Sequence, residues 1–310
     1  MDEVFAHIVF ADYGGEIVRR EPFALEAIVA EGVKGVRVRL PMTGAEAMAS
    51  QVDMAAALRC VVRALEDMAT EIVLPPEGFA AAVAEMVSSM AVARSTDVLP
   101  FLLPRAMKKA LAAVGKEQMR CEVAVLCGEV DLAECVLEQI CHDTNFLTVV
   151  VQGKEKPRLR SAAARIYTET GLEAVLTDDV KQALARADVV VHTSPPEATY
   201  VEMYRRAAIS LDLSGSRGMT AVLLARRVDV LAADGLYASL GRTTFPQEVL
   251  VPVLYGKSEA FARLVREEYS ADLAAEVRAD LARLRVTVSA YAQAGRALSV
   301  AGLMRQRMTQ

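Results

Sequence analysis

The apolar run Glu122-Val123-Ala124-Val125-Leu126-Cys127 is followed at once by Gly128-Glu129-Val130-Asp131-Leu132-Ala133. A turn of the form G-x-G-x-x-G/A at the end of a buried strand lets a diphosphate settle on the start of a helix. Gly128 and Ala133 fit its first and third positions. Val130 takes the second, where a glycine would let pyrophosphate approach the backbone and a β-branched side chain obstructs it. Glu129 and Asp131 flank the phosphate position. Raw repulsion is about 3 kcal/mol per charge pair at ~5 Å and an effective dielectric of ~20, before solvent reduces it. Gly128, Glu129, Val130, Asp131 and Leu132 are therefore candidate cofactor-binding residues, with weakened or lost binding of an ordinary dinucleotide expected.

Other strand ends add polar groups. Gln152, Gly153 and Lys154 follow the second apolar run of this region, with Lys156 and Arg158 close by. An acidic residue there would hold the ribose 2′-hydroxyl of NAD. Its absence beside three cations would suit a 2′-phosphate, hence NADP, but an ordinary solvated loop with surface charges is the favoured reading. Thr193 and Ser194 follow a fourth run that ends in His192. That histidine is either an acid–base group or a hydrogen-bonded strand-end residue beside the rigid Pro195-Pro196. Asp212 and Ser214 close a fifth run and either bind ribose or substrate or cap the next helix. Asp234, Tyr237, Arg242, Tyr255 and Lys257 could line a cleft, but Tyr255 and Lys257 lack helical Tyr-x-x-x-Lys spacing, and an ordinary structural role is favoured for all five. The catalytic residues themselves are not identifiable.

These residues need a scaffold of alternating strands and helices. Short apolar runs at 122–126, 146–151, 173–176, 188–192 and 209–213 alternate with helical segments at about 129–141, 162–170, 178–186 and 198–206. Such alternation with short connections gives right-handed βαβ crossovers and a parallel sheet. A sixth run, 228–232, follows a helix at 220–227. Upstream, residues 4–10 read as a strand and 16–20 as its hairpin partner. Residues 23–31 read as a helix. Residues 33–40 alternate, which places Val36, Val38 and Leu40 opposite Arg37 and Arg39 on a half-buried strand. Residues 53–68 and 78–92 read as helices around a short strand at 71–74. Pro104 is expected to open a helix over 105–114, which Gly115 closes. From about 248 onward the chain reads as mostly helical.

The expected architecture is α/β with two domains: an N-terminal α/β domain over 1–114 and a Rossmann-like doubly wound sheet over 115–258. Helices over 259–310 either pack back on the first domain or form an oligomer contact. A small-molecule ligand in a cleft between the domains and a homo-oligomer are expected. The 310 residues carry a net charge of −5 and no Lys/Arg block, which argues against nucleic-acid binding. No run of about 18 apolar residues is present, so no membrane partner is expected. The five cysteines form no CxxC pair and suggest no zinc site. With no secretory signal segment they fit a reducing cytoplasm.

Several stretches resemble the NADP-dependent long-chain acyl-carrier-protein reductases and the wider Rossmann group that includes shikimate dehydrogenases. They are 110–128, 183–194, 209–214 and 228–235, with weaker similarity at 35–43 and 65–75. The resemblance covers most of the chain in order and rests on layout more than identity. It implies an NADP-linked oxidoreductase acting by hydride transfer on a small carbonyl or acyl substrate. The chain departs from that pattern in three places. Ser95-Thr96-Asp97 stands where such reductases carry a Thr-Gly-Asn-type segment. The segment 245–256 lacks the acyl-accepting cysteine that a thioester intermediate requires. The Lys-and-Asp pair of shikimate dehydrogenases is not identifiable. The altered turn and the missing cysteine favour a non-catalytic binding or assembly module. The clean βαβ pattern and the strand-end polar groups favour an active oxidoreductase.

Overall fold

The computed structural model describes residues 4–11, 22–151, 156–215, 218–267 and 269–302. The chain divides into two compact units: Met1–Asp97 with Glu248–Glu268, and Val98–Gln247 with Tyr269–Gln310.

The first unit is built on a five-stranded sheet. Its strands are β1 (Phe5–Val9), β2 (Ala24–Ala30), β3 (Val33–Arg39), β4 (Ile72–Leu74) and β5 (Ala91–Val92), in the order β2-β3-β1-β4-β5. All pairs are parallel except β2 with β3. The alternation of β3 is realised: Val36 and Val38 are buried while Arg37 and Arg39 are half-buried. Helices α1 (Gly44–Ala49), α2 (Gln51–Asp67) and α3 (Ala80–Ala84) belong to this unit. Thr43 and Glu46 cap α1 reciprocally, and Ser50 accepts from the Asp53 N–H to start α2. Met54, Leu58, Val61, Val62 and Leu65 recur at helical spacing and enter one cluster with Ile8, Val36 and Val38.

Two helix expectations fail in this unit. Residues 23–31 form strand β2, because antiparallel pairing with β3 satisfies the backbone and sets Glu26 against Arg37 at 2.9 Å. Of 78–92, only Ala80–Ala84 is α-helical and Ala91–Val92 joins the sheet beside β4. The hairpin partner expected at 16–20 lies outside the described residues.

The second unit opens with α4 (Leu99–Ala113). The helix starts five residues before Pro104, with Pro100 in its first turn. Burial of Leu99, Phe101, Leu102 and Leu103 outweighs the hydrogen bond that Pro104 cannot donate. Gly115 closes the helix at φ +71°, as expected of a left-handed cap.

Six strands then build a wholly parallel sheet: β6 (Glu122–Leu126), β7 (Phe146–Val150), β8 (Ala174–Thr177), β9 (Val189–His192), β10 (Ile209–Asp212) and β11 (Leu231–Ala233). Between them run α5 (Val130–Ile140), α6 (Lys156–Thr170), α7 (Val180–Arg186) and α8 (Gly218–Arg226), and a 3₁₀ turn at Ala198–Met203 replaces the helix expected at 198–206. The order is β11-β10-β9-β6-β7-β8. The chain fills one side of β6 first and then crosses to the other, the 3-2-1-4-5-6 order of a doubly wound Rossmann sheet. The central strands β9 and β10 are buried at every position, which explains the apolar Val189–Val191 run and the buried Ile209 and Leu211.

A third sheet was not anticipated. It comprises β12 (Gly235–Leu240), β13 (Thr243–Pro246), β14 (Thr287–Gln293) and β15 (Arg296–Ser299), antiparallel in the order β13-β12-β14-β15. The helices α9 (Gln247–Lys257), α10 (Glu259–Arg266) and α11 (Ala271–Arg283) occupy the chain between β13 and β14. The segment after 258 is therefore not all helical. Of its two strands, β14 is fixed by pairing with β12 and by Tyr291, whose hydroxyl donates to the Ala106 carbonyl at 2.6 Å, and β15 pairs with β14. No described helix is long and apolar enough to cross a membrane.

Candidate functional site

Strand order reverses between β6 and β9, and a doubly wound sheet binds ligands at that point, beyond the carboxyl ends of its strands. Gly128 leaves β6 there. Its N–H donates to Thr193 Oγ1 at 3.2 Å, and the Thr193 N–H donates to the Leu126 carbonyl at 3.1 Å. The two strand ends are thus tied together by the buried Thr193. A Cβ on Gly128 would lie 2.0 Å from both Cβ and Oγ of Ser194. Glycine is required by this close approach of the β9 loop, whatever binds above it.

Glu129 takes the N-cap position of α5 and makes no side-chain cap hydrogen bond there; Val130 is the first helical residue. The first N–H groups of the helix lack intrahelical acceptors and point outward, so an anion-attracting end exists. Val130 is half-buried and Leu132 is buried, so Leu132 offers this site little beyond its backbone. Ala133 is fully buried, which satisfies the close helix–sheet packing asked of the third position.

Asp131 is not the bare charge that spacing suggested. Arg158, in the first turn of α6, pairs with it and with Glu134 at 2.8 Å. The guanidinium is held more basic than usual, first by its hydrogen bond to Glu134 and further by Asp131, against some burial. The repulsion expected from Asp131 is therefore largely offset. Arg158, one of the cations considered for a 2′-phosphate, is already engaged by two carboxylates. Gln152, Gly153 and Lys154 lie outside the described residues.

His192 and Asp212 share one register row, Leu126↔His192↔Asp212, and so one face of the sheet. His192 is 1% exposed. Its Nε2 lies 2.5 Å from the Tyr204 hydroxyl, which lies 3.1 Å from Ser210 Oγ. Burial depresses the imidazole pKa to about 3 and raises the Tyr204 phenol. The ring is neutral and locked, the hydrogen-bonded strand-end alternative. Tyr204 carried no signal at a separation of twelve residues.

Asp212 is 2% exposed. Its Oδ1 accepts from the Ser214 N–H at 2.9 Å and from the Ser214 hydroxyl at 2.6 Å, while the buried Oδ2 has no hydrogen-bond partner among the described residues. Burial pushes its pKa up to about 6. The Ser214 hydrogen bonds oppose that shift, and the charge of Asp234, just past the neighbouring strand β11, adds to it. Asp234 is itself buried and accepts from the Ala294 N–H at 2.9 Å. Spacing alone did not couple these two acids; adjacency of β10 and β11 does.

The structure thus gathers Gly128, Glu129, Val130, Asp131, Thr193 and Ser194 at the reversal point, with Asp212 and Ser214 one strand further along. Among the described residues no cluster of three or more metal-ligating groups occurs.

No family model matches the chain, and no curated protein matches it. Solved structures give distant likenesses. A shikimate dehydrogenase in complex with NADP+ is 11% identical, with 90% of this chain and 95% of that one covered and a TM-score of 0.40. Quinate dehydrogenase from Corynebacterium glutamicum in complex with NAD is 16% identical over 91% and 100%, with a TM-score of 0.38. D-mandelate dehydrogenase from Rhodotorula graminis is 14% identical over 53% of this chain, with a TM-score of 0.31. The chain spans only 58% of that last protein's length. The Rossmann assignment rests on the strand order within the second unit.

Proposed function

We propose that the second unit binds a nicotinamide dinucleotide over the Gly128 turn, and that the chain is a diverged oxidoreductase passing hydride to a small carbonyl or acyl substrate. The observation that carries this reading is the reversal of strand order at β6 and β9, with a glycine turn, a helix start and the Thr193–Ser194 loop converging there. Asp212 and Ser214 close β10 on the same carboxyl side of the sheet, with Asp212 buried. NADP is the preferred cofactor because cations open α6. A 2′-phosphate would have to compete with Asp131 and Glu134 for Arg158. A small-molecule substrate and a homo-oligomeric state complete the proposal.

Val130 at the helix start and the locked, neutral His192 favour a second reading, a binding or assembly module with a degenerate nucleotide site. Titration of NADPH and NADH, followed by cofactor fluorescence and by melting temperature, separates them. The expected result is weak NADPH binding that Val130→Gly strengthens roughly tenfold, about 1.4 kcal/mol. Silence of both proteins at about millimolar cofactor, where even about 4 kcal/mol of binding would register, would sink the cofactor assignment. Binding without turnover on any carbonyl panel would select the module.

A further inference from the structure

The outer strand of the first unit's sheet lacks the usual protection of an edge. β2 ends the order β2-β3-β1-β4-β5, and no described strand lies beyond it. An open edge presents unpaired N–H and C=O groups, and natural sheets blunt it with lysine, proline, a bulge or a very short strand. β2 has none of these. It is seven residues long, Ala24-Leu25-Glu26-Ala27-Ile28-Val29-Ala30, and pairs with β3 along its whole length without a shift in register. Its one charge, Glu26, is bridged by Arg37 at 2.9 Å and Arg39 at 3.9 Å. The other edge of the sheet, β5, is only two residues long.

The side chains of β2 are as open as its edge. Leu25 and Ala27 are paired with Val38 and Val36, so they share the face on which α2 packs. α2 covers Val36 and Val38 but stops short of β2. Leu25 is 49% and Val29 70% exposed, with Ala27 exposed between them. The order of these residues is self-complementary. Turned antiparallel about Ala27, a second β2 sets Leu25 opposite Val29, Ala27 opposite Ala27 and Glu26 opposite Ile28, with every residue of the strand paired. A slip of two residues in one direction sets Glu26 against Glu26, and in the other sets Leu25 against Glu31. Charge therefore selects the central register. A slip of one residue turns the apolar row to the opposite face.

We infer that the open edge of β2 pairs with β2 of a second copy of this chain, antiparallel about Ala27, joining two sheets into one. Leu25 of one copy meets Val29 of the other, and each Glu26 keeps its own Arg37. The contact is isologous and closes at the dimer, because β5 is too short to propagate the sheet from its far side. A strand pair with so short an apolar row lies below about 1,200 Å² of total interface, the range of weak and transient contacts. The inference gives the homo-oligomer its surface and holds without the cofactor reading.

Sedimentation equilibrium of the full chain from about 1 to 500 µM tests this. The expected result is a reversible monomer–dimer equilibrium in the micromolar range. Ala27→Lys and Ala27→Glu each meet their own like charge across the two-fold axis and weaken the dimer about fivefold or more. An equimolar mixture of the two restores it as a heterodimer, which only a residue that faces itself can do. Ala27 is exposed, so both variants are expected to keep the parent's melting temperature. A chain monomeric throughout that range, its edge left bare or open to some other extended peptide, would overturn the inference. So would dimers indifferent to both variants, or a mixture no more dimeric than its components.

Discussion

Replacing Gly128 by alanine asks whether the turn is held by its packing against Ser194. The backbone of Gly128 is outside the positive-φ region, so alanine brings no intrinsic strain. Without a clash, Gly→Ala should stabilise by about 0.4–1 kcal/mol through the unfolded chain. The new Cβ would instead lie 2.0 Å from Ser194 Cβ and Oγ, and a Cβ cannot swing aside as a side-chain tip can. The loop or the turn must shift, at a cost of about 1–3 kcal/mol. The sign of the effect therefore decides the matter. In a unit of about 190 residues each kcal/mol moves the melting temperature by about 2–4 °C, so a loss of several degrees is expected. With Ser194→Gly in the background, the nearest remaining Ser194 atom is Cα at 3.4 Å, an ordinary contact. Urea unfolding of the four proteins in the cycle isolates the coupling from the entropy that each glycine carries. A Gly128→Ala protein as stable as the parent, or a coupling energy near zero, would refute the packing argument.

Asp212 should weaken folding as pH rises. Its folded pKa of about 6 lies above the ordinary 3.8, so the carboxyl costs nothing below about pH 4, and an order-of-magnitude 3 kcal/mol above about pH 6. Asp212→Asn should flatten the stability profile between those values in urea melts, and an unchanged slope would count against the buried, half-satisfied carboxyl. His192, depressed to about 3, should show no imidazole titration between about pH 5 and 8 by NMR. Because its unfolded pKa is higher, it withdraws stability as pH falls below about 6.5; a ring titrating near 6.5 would mean that it is not buried against Tyr204.

The sequence by itself determined the doubly wound sheet. Runs such as 122–126 and 188–192, cut by helices of regular length, leave the chain few ways to pair except through right-handed crossovers. It also determined the half-buried face of β3, because period two is a local property. Placing Gly128, Thr193 and Asp212 at strand ends followed from the same runs. Pairing across distance was decided only in three dimensions. Residues 23–31 could be helix or strand until β3 lay beside them. The strands of 287–299 carry no strong periodic signal; β14 is fixed by β12, some fifty residues earlier, and β15 by β14. Electrostatics changed for the same reason. Asp131 reads as a bare acid beside a phosphate site until α6 brings Arg158 against it, and Asp212 reads as either a ligand contact or a cap until β11 brings Asp234 close. Charge depends on neighbours in space, and a sequence shows only neighbours along the chain.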